Sequence, residues 1–126
     1  MPQPVVHFEI IGTDPARLRS FFGELFDWRY ELTPVAAAVS DPDNYGFIEL
    51  LTASDGSGIR GGVGGGPTHD SHALFYVGVP DVQDALERAE QLGGTRVMGP
   101  QSSPQGLVVA QFTDPAGNLI GLASAG

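Results

Sequence analysis

The chain is expected to fold as an α+β protein of two βαβββ modules that together form a half-barrel cleft. Three observations lead there: an internal repeat, short alternating stretches of strand length, and one amphipathic helical stripe in each repeat. Val5 to Tyr30 and His72 to Val97 echo one another at an offset of 67 positions, which lays Asp14 on Asp81, Leu18 on Ala85, Phe22 on Ala89, Leu25 on Leu92 and Arg29 on Arg96. A repeat of this size is a unit that cannot bury its apolar face alone and is completed by its partner. A cleft between two half-sheets follows, and function is expected inside it.

The elements can be placed in order. Val5 to Ile11 alternates, with His7, Glu9 and Ile11 on one side of a strand and Val6, Phe8 and Ile10 on the other. Asp14 reads as a helix N-cap with Pro15 at the first helical position, where its missing N–H is no loss. Leu18, Phe21, Phe22, Leu25 and Phe26 follow at helical spacing and are expected to pack on the sheet as core. Strands are expected at Trp28 to Leu32, Tyr45 to Leu51 and Ile59 to Val63, separated by turn-rich SDPDN (Ser40 to Asn44) and SDGSG (Ser54 to Gly58). Pro34 to Val39 reads as either a strand or a loop.

Gly64 to Ser71 (GGGPTHDS) has the composition of a flexible connection. Beyond it come a strand at His72 to Val79, a helix at Val82 to Leu92 ended by Gly93 and Gly94, and strands at Thr95 to Met98, Leu107 to Thr113 and Leu119 to Ala123. One domain over residues 1–126 is expected, with module one at about 4–64, the linker at about 64–71 and module two at about 72–124.

Composition sets limits on chemistry. With 126 residues and 41% apolar content, one domain has enough core to fold unaided. No cysteine is present, which removes disulfides and thiolate ligands and leaves His, Asp and Glu as donors for any metal. The formal charge of −9 repels phosphate backbones and anionic membrane surfaces, so neither nucleic acid nor membrane is an expected partner. Without a leader-like start or a long apolar run, a cytoplasmic location is expected. The glycine run Gly61 to Gly66 lacks the following helix and Lys-Ser/Thr of phosphate-binding loops, and HDSH is no nucleophile elbow.

Three segments, HFEIIGTDPARLRSFFGELFDW, VPDVQDALERAEQLGG and FTDPAGNLIGL, resemble the vicinal oxygen chelate superfamily of glyoxalase I, extradiol dioxygenases and bleomycin- and fosfomycin-resistance proteins. They span nearly the whole chain in the family's order. The resemblance implies a metal site in which each module gives one ligand from its first strand and one from its last. His7 stands at the first such position, seven residues before Asp14. Its repeat counterpart is Leu74, which has no donor atom. The last-strand positions fall on Gly121 and on Gly61 or Gly62. Glu49 in FIELL resembles the glyoxalase pattern locally, and His72 and His69 are the remaining donors that an improvised site would recruit.

A family-type metal is therefore not expected, and a divalent ion held by His7 with Glu49 or His72 is the alternative. His7 and Glu9, two residues apart on one strand face, are the candidate catalytic pair, able to serve as a general base without a metal. The expected ligand-binding set is His7, Glu9, Ile11, Trp28, Tyr45, Phe47, His72, Leu74, Tyr76 and Phe112, with Gly121 leaving room at the last strand. The strand faces of Tyr45, Phe47 and Phe112 stay open.

Three functions fit. The first is a small-molecule binder with a degenerate metal site that sequesters a cationic or aromatic compound, as drug-sequestering members of the superfamily do. The second is a metal-dependent lyase, isomerase or dioxygenase. The third is a regulatory or structural domain without catalysis. The resemblance also implies a homodimer.

Overall fold

A computed structural model describes residues 2–48 and 58–124. The strand order within the first module is β2-β3-β4-β1, and within the second it is β5-β8-β7-β6. The first is built from β1 (Val5–Gly12), α1 (Pro15–Phe26), β2 (Tyr30–Leu32), a 3-10 turn at Pro42–Asn44, β3 (Gly46–Ile48) and β4 (Arg60–Gly65). The second is built from β5 (His72–Gly78), α2 (Val82–Gln91), β6 (Thr95–Ser102), β7 (Val108–Thr113) and β8 (Leu119–Ser124). By packing, the chain forms two compact units, His7–Ala73 and Met1–Val6 with Leu74–Gly126. Backbone pairing brings the N-terminal segment into the latter, where the Gly78 N–H donates to the Pro4 carbonyl at 2.8 Å.

The repeat is visible in the local chemistry. Asp14 caps α1 by accepting from the Arg17 N–H at 3.2 Å, and Asp81 caps α2 by accepting from the Asp84 N–H at 3.0 Å. Each first strand runs parallel to the last strand of its own module, Glu9 beside Gly62 and Tyr76 beside Gly121. Asp27 ends α1 with φ 60, a left-handed position that Asp tolerates better than most residues. In the DPAGN turn, Asp114 accepts from the N–H groups of Ala116 and Asn118 and from the Asn118 amide, each at 2.9 Å. Those bonds hold its carboxyl below the ordinary carboxylate range.

Several element boundaries differ from the sequence reading. The connection begins later than expected, because Gly64 and Gly65 continue β4 beside Ile11 and Gly12. β6 runs on through Ser102 by way of register shifts against β7, where a loop from Gly99 was expected. Pro34 to Val39 is neither strand nor helix; the Val39 N–H closes a turn on the Ala36 carbonyl at 2.9 Å, and both side chains are buried. The third strand is described only as far as Ile48.

The larger correction concerns α1. Its stripe is not core: Phe21, Leu25 and Phe26 are 58%, 59% and 54% exposed. The sheet beneath explains this, because β4 reads RGGVGG and offers few side chains for a helix to rest on. Gly61 is covered instead by the Phe8 ring, which Trp28 meets at 5.5 Å, with Phe22 and Phe26 adding to the same aromatic cluster. The second module packs as expected, with Val82 and Leu86 of α2 buried against Ala110 and Leu122.

Candidate functional site

Strand alternation places His7, Glu9 and Ile11 on the β1 face opposite Phe8 and its aromatic cluster. Parallel register puts Gly62 beside Glu9, and antiparallel register puts Phe47 beside Gly62, so these positions form one row across the first module. The same register decides between the two glycines at the last-strand position. Gly61 pairs with Phe8 and lies on the other face, so Gly62 is the one on the His7 side.

Tyr45 enters this face from just before β3. Its side chain is 1% exposed and its hydroxyl end covers Gly62, so that a Cβ at Gly62 would overlap Tyr45 Cε1, Cζ and the hydroxyl oxygen. Glycine at 62 is what admits the ring. From there the Tyr45 hydroxyl donates to Glu9 Oε1 at 2.9 Å, and His7 Nε2 lies 2.9 Å from the same hydroxyl. With its single proton directed at Glu9, the Tyr45 oxygen receives the His7 bond, which assigns the proton of a neutral imidazole to Nε2. Burial, followed by the nearby Arg60 guanidinium, lowers the His7 pKa to about 4. At neutral pH the chain of bonds therefore runs from an uncharged imidazole through a phenol to a carboxyl that is 2% exposed. Phe47 closes the wall, 5.6 Å from the His7 ring and 4.9 Å from the Tyr45 ring.

The second module repeats the device with different residues. Tyr76, the counterpart of Glu9 in the repeat, lies on Gly121, where an added Cβ would likewise overlap a tyrosine ring. The Gln111 side-chain amide donates to the Tyr76 hydroxyl at 2.9 Å, and both residues are buried. The expectation that Gly121 leaves room is corrected: Tyr76 takes that room. Leu74 is buried. Phe112 points to the α2 side and packs against the Val82 and Leu86 cluster, away from the Tyr76 face. Trp28 likewise belongs to the cluster around Phe8, on the face opposite His7.

The remaining donors are engaged elsewhere. His72 Nδ1 bonds the Asp70 carbonyl at 2.7 Å, and His69 Nε2 lies 3.3 Å from an Asp41 carboxylate oxygen. Glu49 lies outside the described residues. Among the described residues no group of three or more His, Asp or Glu side chains is placed to hold a metal ion. A ligand set of the family type does not fit them, since both last-strand positions are glycines roofed by tyrosine and the second first-strand position is Leu74. Two residues of these faces were missed from sequence. Gln111 is a polar residue in an otherwise apolar strand, VVAQFT, and Arg60 is legible only once β4 is known to run beside β1.

Among the described residues no helix is long and apolar enough to cross a membrane. A variant of Streptomyces coelicolor methylmalonyl-CoA epimerase in complex with 2-nitronate-propionyl-CoA is similar in structure, with a TM-score of 0.68, 15% identity and 95% of each chain covered. A hypothetical protein from Bacillus halodurans C-125 has a TM-score of 0.67 at 12% identity, over 98% of this chain and 95% of that one. A glyoxalase/bleomycin resistance protein/dioxygenase superfamily member from Vibrio splendidus 12B01 has a TM-score of 0.58 at 16% identity, over 98% and 99% of the two chains. At these identities the likeness is one of fold. No curated protein matches. The family model of the Glyoxalase/Bleomycin resistance protein/Dioxygenase superfamily matches residues 5–122, and with the paired βαβββ modules this places the chain in that superfamily.

Proposed function

We propose that this chain is a small-molecule-binding member of the superfamily whose metal site has degenerated, and that it holds an aromatic compound against the His7 face of the first module. The observation that carries the reading is the tyrosine on each last-strand glycine. Tyr45 over Gly62 and Tyr76 over Gly121 occupy the volume that a carboxylate ligand would need, so the loss of donors is matched by a gain of packing. The face keeps aromatic surface at Phe47 and a fixed polar chain at His7, Tyr45 and Glu9, the mixture that orients a small flat ligand. Neutral His7, with its Nε2 proton shared with Tyr45, is a hydrogen-bonding group rather than a charge.

Elemental analysis of the purified protein, then calorimetric titration with zinc, nickel, manganese and iron(II), tests the reading. No stoichiometric metal and no titration above weak surface binding is the expected result. Tight metal that disappears in His7→Ala would overturn it in favour of a metal-dependent lyase, isomerase or dioxygenase, with Glu49 as the first residue to substitute.

Homodimerisation belongs to the same reading and is supported by the apolar surface of α1 at Phe21, Leu25 and Phe26. Light scattering should give twice the 13.2 kDa chain mass, and Leu25→Glu with Phe21→Glu should give monomer.

A further inference from the structure

Arg60 has no part in the polar chain just described, yet parallel register sets it directly beside His7 on the same face. The guanidinium is close enough to help keep His7 uncharged. Three other arginines are spent on structure: Arg19 donates to the Asn44 carbonyl at 2.6 Å, Arg88 to Gln91 Oε1 at 3.4 Å, and Arg96 pairs with Glu90 at 2.9 Å. Arg60 is exposed and forms no ion pair among the described residues. Next to it stands the tilted aromatic wall of Phe47 and His7.

We propose that the His7 face binds a flat organic anion, an aryl carboxylate in chemical class, with the carboxylate on Arg60 and the ring against Phe47. The inference rests on the small-molecule reading above and adds the sign of the ligand's charge. A guanidinium presents a planar fork that matches a carboxylate with two parallel N–H···O bonds. The nearest described carboxyl on this face, Glu9, is buried and already accepts from Tyr45, so among the described residues the charge nearest a ligand beside His7 is that of Arg60. Glu31 lies beyond Phe47 in the row of Gly62, two strands across and two residues along from Arg60, so roughly 12 Å away along the backbone and more than one Debye length at ordinary salt. The formal charge of −9 for the whole chain attracts cations in general, but at this face a cation meets Arg60 first.

The probes are benzoate, benzyl alcohol and benzylamine, titrated into the full chain and followed by amide and aromatic NMR shifts. Benzoate should move the signals of Arg60, Phe47 and His7 and bind at least about tenfold more tightly than benzylamine. Arg60→Gln should weaken benzoate about tenfold without changing the melting temperature, and Arg60→Lys should restore part of the loss. Benzylamine or benzyl alcohol binding these residues as tightly as benzoate would overturn the charge assignment while leaving the small-molecule reading in place. Benzoate affinity within twofold of wild type in Arg60→Gln would do the same. No shift at this face with any probe would sink both.

Discussion

Removing one oxygen atom, in Tyr45→Phe, tests the account of the His7 face most directly. The ring stays on Gly62, so packing is conserved, and only the hydroxyl between His7 and Glu9 is lost. Tyr45 and Glu9 are 1% and 2% exposed, so water has no easy route to replace it. A side-chain hydrogen bond contributes about 0.5–1.5 kcal/mol net, and a buried polar group that loses its partner costs about 1–3 kcal/mol. The expected loss is about 3 kcal/mol, which for a chain of this size lowers the melting temperature by about 10 °C. Thermal unfolding followed by circular dichroism reads it. In a Glu9→Leu background the hydroxyl has lost its bond to Glu9 but keeps the one from His7, so Tyr45→Phe should cost clearly less there than in the wild type, and the two variants must couple. A loss below about 0.5 kcal/mol in the wild-type background, or an equal loss in both backgrounds, would refute the bond chain.

Two further outcomes follow from the same geometry. Above pH 6.5 His7 is neutral in both the folded and the unfolded chain; between pH 6.5 and about 4 only the unfolded chain takes up the proton, so stability should fall as pH falls through that window, by up to about 3 kcal/mol. Melting temperatures of the wild type and His7→Gln between pH 7.5 and 4.5 check this, and equal pH slopes for the two proteins would show that His7 does not titrate as described. Gly62→Ala and Gly121→Ala would each drive a methyl group into a tyrosine ring and should cost about 1–3 kcal/mol, whereas Gly117→Ala, in a turn where nothing lies near an added Cβ, should cost less from its backbone alone. Denaturant midpoints of the three variants measure the order.

Most of the architecture was legible in local pattern. Asp14 with Pro15, and Asp81 sixty-seven positions later, mark two helix starts because a capping carboxylate acts on backbone N–H groups within three residues of itself. Alternation in Val5 to Ile11 separates the His7 face from the Phe8 face because successive side chains in a strand point to opposite sides. The α1 stripe misled for the converse reason. Periodicity says which residues share a helix face, but not whether the surface opposite carries side chains to cover them, and a glycine-rich β4 does not.

The candidate site divides along the same line. The chain by itself determined that His7 and Glu9 share a face, that donors are missing at Leu74 and Gly121, and that no thiolate is present, since each is a statement about residue type and strand period. Only tertiary structure decided what stands where those donors are missing. Tyr45 reaches Glu9 from 36 positions away, Gln111 reaches Tyr76 from 35, and Arg60 comes beside His7 through the pairing of β4 with β1. A glycine in sequence reads the same whether it leaves a void or supports a ring; the difference lies in long-range strand register, which fixes which side chain meets it.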